Sequence, residues 1–158
     1  MIKRPSKEDY YLDIALAVSK RSTCLRRHYG CVIVKDDVIV STGYNGSPRG
    51  CDNCCDIGKC QREDSERYQG YEKCPAVHAE QNALLSVDRA HSQGATLYLV
   101  CEEVNTEEIL CLDGSGSTDK IITKLIEDEN PMPCNICSKM ITNAGILKVV
   151  TRKGVIWV

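Results

Sequence analysis

His78-Ala79-Glu80 and Pro133-Cys134-Asn135-Ile136-Cys137 carry the side chains of this chain best suited to chemistry. One imidazole and two thiolates are donors that zinc accepts. Cys134 and Cys137 are three residues apart, so at the start of a helix both thiols project from one side of its first turn. Free N–H groups and partial positive charge at that end favour the thiolate, the form that binds metal. Three protein donors leave one tetrahedral position open, the coordination of a catalytic rather than a structural zinc. Glu80 stands two residues from His78, about 200° around a regular helix. At a helix start the two can still divide the work, His78 reaching the metal and Glu80 the water beside it. A carboxylate so placed takes a proton from water and delivers it elsewhere.

H-x-E followed by P-C-x-x-C is the signature of zinc deaminases that act on nucleobases. A core histidine with an exposed Glu80, or a stray pair of cysteines, explains one motif at a time. Neither explains both together at helix starts.

Other elements must carry these motifs to one place. Ser6 followed by Asp9 reads as a cap opening a helix, with Leu12, Ile14, Ala15, Leu16 and Val18 inward. GCVIVK (30–35), a turn at Asp36-Asp37, and VIVSTG read as a hairpin. GYNGSPRG (43–50) is loop chemistry. A helical stretch from about Ala76 to Gly94 holds HAE, and ATLYLV (95–100) is the next strand. Residues 101–132 contain GSGS and read as an irregular insertion with a short helix, DKIITKLIEDE. PCNIC opens a helix to Asn143, stopped by Gly145. ILKVVT and VIWV close the chain as two strands about Arg152-Lys153-Gly154. The order predicts an α/β fold in one domain over residues 1–158, with one mixed sheet of about five strands.

Composition sets the class. A chain of 158 residues can bury a real core. Phe is absent, so Ile, Leu and Val must build most of it. No run of 18 apolar residues predicts a spanning helix, and MIKRPSKEDYY lacks the apolar stretch of a signal peptide. A cytoplasmic protein without membrane contact is the expectation. Lys+Arg 20 against Asp+Glu 22 argues against a polynucleotide partner, which needs a dense basic surface. The 11 cysteines are an odd number, and a disulfide scaffold is usually shorter and secreted. Clustered thiols in a reducing compartment are more often metal ligands. RGCDNCCDIGKC (49–60) is such a cluster.

With these segments assembled, the chain resembles the deoxycytidylate (dCMP) deaminases of the cytidine-deaminase-like superfamily. RSTCLRR (21–27), GYNGSPRG, the CC-D-x-G-x-C cluster, HAEQNALL and PCNIC follow one another in that family's order. The resemblance covers about residues 10–100 and 133–151 and implies a three-layer α/β/α fold, with helices on both faces of the sheet. It implies hydrolysis of dCMP to dUMP and ammonia, homo-oligomers from dimer to hexamer, and dCTP and dTTP as effectors. Carried over residue by residue, His78, Cys134 and Cys137 hold the catalytic zinc and Glu80 shuttles protons. Asn45 contacts the sugar or base, and Arg26 the phosphate. A second, structural zinc is implied on Cys24, Cys54, Cys60 and Cys74, with Cys51 and Cys55 as competing ligands in the same loop. Four thiolates with no open position suit a structural site.

Two features depart from the family. The segment from Cys101 to Met132 separates a strand from PCNIC that usually lie close together. ILKVVT turns directly into VIWV, where a helix usually intervenes, an ending closer to the free-nucleoside deaminases. Two rival functions therefore stand: deamination of another small amino-heterocycle, whether a free nucleoside or a modified nucleotide, and a non-catalytic zinc module.

Overall fold

The computed structural model describes residues 3–66, 69–110, 118–128 and 130–158. Helix α1 (Lys7–Ser19) begins where Ser6 Oγ accepts a bond from the Asp9 N–H at 3.0 Å. Its buried face is Tyr11, Leu12, Ala15 and Ser19, a repeat of about one helical turn. Ile14, Leu16 and Val18 flank that face half-buried rather than leading it. Strands β1 (Arg27–Lys35) and β2 (Val38–Tyr44) form the expected hairpin. Asp36 and Asp37 both take positive φ, 49° and 65°, the two-residue turn whose twist suits paired strands.

The expected stretch from Ala76 to Gly94 is two helices, α3 (Ala79–Leu85) and α4 (Arg89–Ser92), after a single turn, α2 (Cys54–Ile57), in the cysteine loop. The break comes at Asp88, whose carboxylate caps α4 by accepting from the His91 N–H at 2.9 Å. A side chain that satisfies a helix start competes with continuing the previous helix.

Strand β3 (Thr96–Leu110) is longer than ATLYLV, because part of the predicted insertion continues it. DKIITKLIEDE is not a helix: β4 (Thr118–Glu127) pairs antiparallel with the distal half of β3. Ile121, Ile122 and Thr123 are β-branched, and β3 offers them an open edge, so pairing overrides the apolar spacing that suggested a helix. GSGS lies outside the described residues. Helix α5 (Asn135–Asn143) and strands β5 (Lys148–Thr151) and β6 (Gly154–Trp157) complete the chain. The main path of the sheet is β2-β1-β3-β5-β6, with β4 added on β3. β3 and β5 run parallel, and β5 and β6 antiparallel as expected.

Alternation along the central strands divides the core. Cys31, Ile33, Leu97, Leu99 and Val149 face the layer of α3 and α5, packed with Ala79, Ala83, Cys137 and Ile141. Val32, Val34, Tyr98, Val100 and Val150 face α1. A strand buried on both faces reads as one continuous apolar run, as CVIV and LYLV do. This is the expected three-layer α/β/α fold. Among the described residues no helix is long and apolar enough to cross a membrane.

Two glycines let helices sit directly on the sheet. A Cβ at Gly30 would lie 2.2 Å from the Ala15 carbonyl oxygen, and one at Gly43 would lie 2.1 Å from that of Ala79. The second contact sets how closely β2 holds the helix that bears Glu80. Gly43→Ala is expected to destabilise the fold by about 3 kcal/mol, the upper range for overpacking. The measurement is a lower urea midpoint at unchanged slope.

Candidate active site

His78 and Cys134 are each the residue that precedes a helix, α3 and α5 respectively, with extended backbones at ψ 157° and 166°. Both helices lie on the same face of the sheet, so their starts converge. His78 is fixed from below, its N–H donating to Gln81 Oε1 at 2.9 Å. His78 Nδ1 lies 3.5 Å from Cys134 Sγ and 3.3 Å from Cys137 Sγ. Zinc bonds of about 2.3 Å to sulfur and 2.0 Å to nitrogen give a tetrahedral S···N edge of about 3.5 Å. The donor set therefore fits zinc in kind and in spacing. Among the described residues it is the only group of three such donors whose ligand atoms all lie within 4.8 Å.

Glu80 lies beneath this triad with 3% of its surface exposed. Burial raises its carboxyl above the ordinary range, while His78 pulls the other way. The hydrogen bond to Cys134 raises His78, against the effect of burial. Cys134 falls to about 3, first through its bond from Cys137, with His78 also contributing. Cys137 is correspondingly raised, by that same bond and then by burial. The cluster thus holds protons that a cation would displace.

A cleft opens over the triad, lined by Arg26, Arg27, Tyr29, Asn45, Arg62 and Tyr71 together with His78 and Glu80. The loop carrying Asn45 is held against the start of α3 by a two-bond bridge. The Gly46 N–H donates to the Val77 carbonyl at 3.1 Å, and the Val77 N–H to Gly46 at 2.8 Å. Asn45 Oδ1 accepts from Ser22 Oγ at 2.7 Å and from the Tyr29 N–H at 2.8 Å, and its Nδ2 donates to the Arg27 carbonyl at 2.9 Å. Three of its four hydrogen-bonding positions are thereby spent inside the protein, leaving one N–H.

Arg26 reaches the cleft but spends its guanidinium on backbone, donating to the carbonyls of Arg62 at 2.6 Å and Ser65 at 3.1 Å. Arg62 and Tyr71 are cleft residues that sequence reasoning missed. Arg62 lies 4.2 Å above the Tyr71 ring, whose centroid is 5.3 Å from that of His78. QREDSER (61–67) offers no spacing that would single out Arg62 from its charged neighbours. His28 is buried, with Nε2 2.9 Å from the Cys24 carbonyl oxygen, and takes no part in the cleft.

Cys24, Cys60 and Cys74 also line the cleft. Burial raises Cys24 and Cys54, and neighbouring thiols raise them further: Cys60 and Cys74 act on Cys24, and Cys24, Cys74 and Cys60 on Cys54. Cys51 and Cys55 are exposed, and neither figures in that mutual effect. No three of the four inner sulfurs close to within 4.8 Å of one another. The Cys55 N–H donates to the Thr23 carbonyl at 3.2 Å, which docks the cysteine loop beside Cys24.

Fold and donor set together define a zinc-binding deaminase class. Residues 5–153 match the cytidine and deoxycytidylate deaminase zinc-binding region, and the chain belongs to that family. Its relatives are more particular. The chain is 36% identical over 149 residues to the deoxycytidylate deaminase of Schizosaccharomyces pombe, covering 93% of this chain but 37% of that protein. It is 35% identical over 159 residues to the deoxycytidylate deaminase of Mycobacterium phage D29, covering 96% of this chain and 98% of that one. The dCMP deaminase of cyanophage S-TIM5, solved in complex with dCMP and dUMP, matches with a TM-score of 0.59 and 28% identity, covering 95% of this chain and 83% of that one.

Proposed function

We propose that this protein is a zinc-dependent hydrolase that converts dCMP to dUMP and ammonia. The observation that carries the reading is a buried Glu80 beneath a His78/Cys134/Cys137 triad of zinc-fitting geometry, in a chain whose matched relatives are deoxycytidylate deaminases. His78, Cys134 and Cys137 hold the metal. When bound, zinc supplies Lewis acidity that makes water a nucleophile at neutral pH. Glu80 takes the proton from that water and returns it to the ring nitrogen of the base. It then takes the proton of the hydroxyl now on the ring carbon and passes it to the exocyclic nitrogen, which leaves as ammonia as that hydroxyl becomes the carbonyl. Its burial suits both steps, because a carboxyl raised toward neutrality both accepts and donates. Asn45 has one N–H left for the sugar or base, and its internal bonds fix the direction of that N–H.

A second, structural zinc on Cys24, Cys54, Cys60 and Cys74 is part of the same reading. The nearness of Cys60 and Cys74 to both Cys24 and Cys54 supports it, since neighbouring thiolates repel and a shared cation relieves that repulsion. Metal analysis is expected to find two zincs per chain, and one after Cys54→Ser. A single zinc in the unaltered protein refutes the second site.

Ammonia release measured across dCMP, dCTP, deoxycytidine, guanine and adenosine tests the activity. Turnover of dCMP above the others is expected. Turnover of a different amino-heterocycle, with none of dCMP, transfers the chemistry to that substrate.

A further inference from the structure

The cleft holds three arginines, and the protein spends two of them. Arg27 pairs with Glu103 and, at 3.2 Å, with Asp128, so its charge is already balanced. Arg26 donates to two backbone carbonyls of the 62–65 loop. Arg62 differs from both. Among the described residues no acceptor binds its guanidinium, no carboxylate pairs with it, and its Nε is buried without a partner. A buried donor left unpaired costs stability, and a free guanidinium beside a small-molecule cleft invites an oxyanion.

We infer that Arg62 takes the phosphate of the substrate and that Arg26 is a positioning residue that holds Arg62 in place. The inference rests on the dCMP reading and assigns to Arg62 the phosphate contact that the family resemblance implied for Arg26. Tyr71 gives the arrangement its direction. The Arg62 guanidinium lies on one ring that is itself tilted against His78, so cation, aromatic ring and metal-binding imidazole form a short series along the cleft. Stacking restrains the guanidinium before substrate arrives, and its planar fork matches two phosphate oxygens at once. Arg26 fixes the other end. Its bond to the carbonyl of Arg62 itself sets the backbone from which that side chain extends. The Arg62 loop thereby becomes the part of the fold that distinguishes a nucleotide from a nucleoside.

The test compares R62Q, R62K and R26Q with the unaltered enzyme on dCMP and on deoxycytidine. R62Q is expected to lower the preference for dCMP over deoxycytidine about 10- to 100-fold, through KM for dCMP rather than kcat. R62K restores part of that loss, because charge remains and the fork does not. R26Q lowers both substrates together, because it releases the loop rather than a phosphate contact. Calorimetric binding of dUMP and deoxyuridine reads the same preference without turnover, and R62Q is expected to weaken dUMP alone. Equal losses for nucleotide and nucleoside in R62Q, or an unchanged KM for dCMP, overturn the assignment. Failure of the unaltered enzyme to deaminate dCMP would instead remove the substrate reading on which it rests.

Discussion

Glu80→Gln is expected to lower kcat for ammonia release by about 10²- to 10⁴-fold, the usual contribution of a positioned acid–base group, with zinc content unchanged. The substitution preserves size and polarity and removes only the capacity to carry a proton. Glu80 has 3% of its surface exposed, so bulk water has little access to take over its role. It lies on the first turn of α3, two residues past His78, and contributes no donor to the triad. Metal should therefore stay bound in the variant. Ammonia assay and metal analysis on the same sample separate two functions: full activity in the variant would leave the protein a zinc module, and loss of zinc would make Glu80 structural.

Cys137→Ser is expected to empty the catalytic site. Cys137 has no exposed surface and forms one edge of the triad, 3.3 Å from His78 Nδ1. Even a hydrogen-bonding partner one step beyond a metal ligand is worth about 10- to 100-fold in metal affinity, so losing a thiolate ligand should exceed that. Activity should fall with occupancy and return partly when excess zinc is added. The proposed second zinc should remain, because its thiols belong to the loops around Cys24, Cys54, Cys60 and Cys74. Metal analysis showing one zinc in the variant and two in the unaltered protein would assign each ion to its own site.

The two motifs were legible because their requirements are local. A residue preceding a helix, three-residue spacing and first-turn N–H groups all follow from a few adjacent residues, as His78 and Cys134 illustrate. The structure divides CVIV and LYLV between two buried faces, because strand alternation assigns neighbours to opposite sides. DKIITKLIEDE was misread for the converse reason. Its state depended on the free edge of β3, which no nearby residue reveals. The two arginines show the same limit. Arg26 follows Cys24 in a family-like segment and suggested a phosphate contact, yet carbonyls of residues 62 and 65 occupy its guanidinium.

By itself, then, the sequence determined which donors exist, that they begin helices, and that a carboxylate accompanies them. Only the tertiary structure decided that residues 78 and 134 meet within ligand distance, and that Arg62 rather than Arg26 is left unsatisfied. It also decided that Cys51 and Cys55 stand exposed, whereas Cys54 is buried near Cys24, Cys60 and Cys74. The physical reason is common to all three. Helix starts and turns arise from forces acting across a few residues. Convergence, burial and competition for hydrogen-bond partners depend on segments far apart in the chain, which the sheet and its two helical layers bring together.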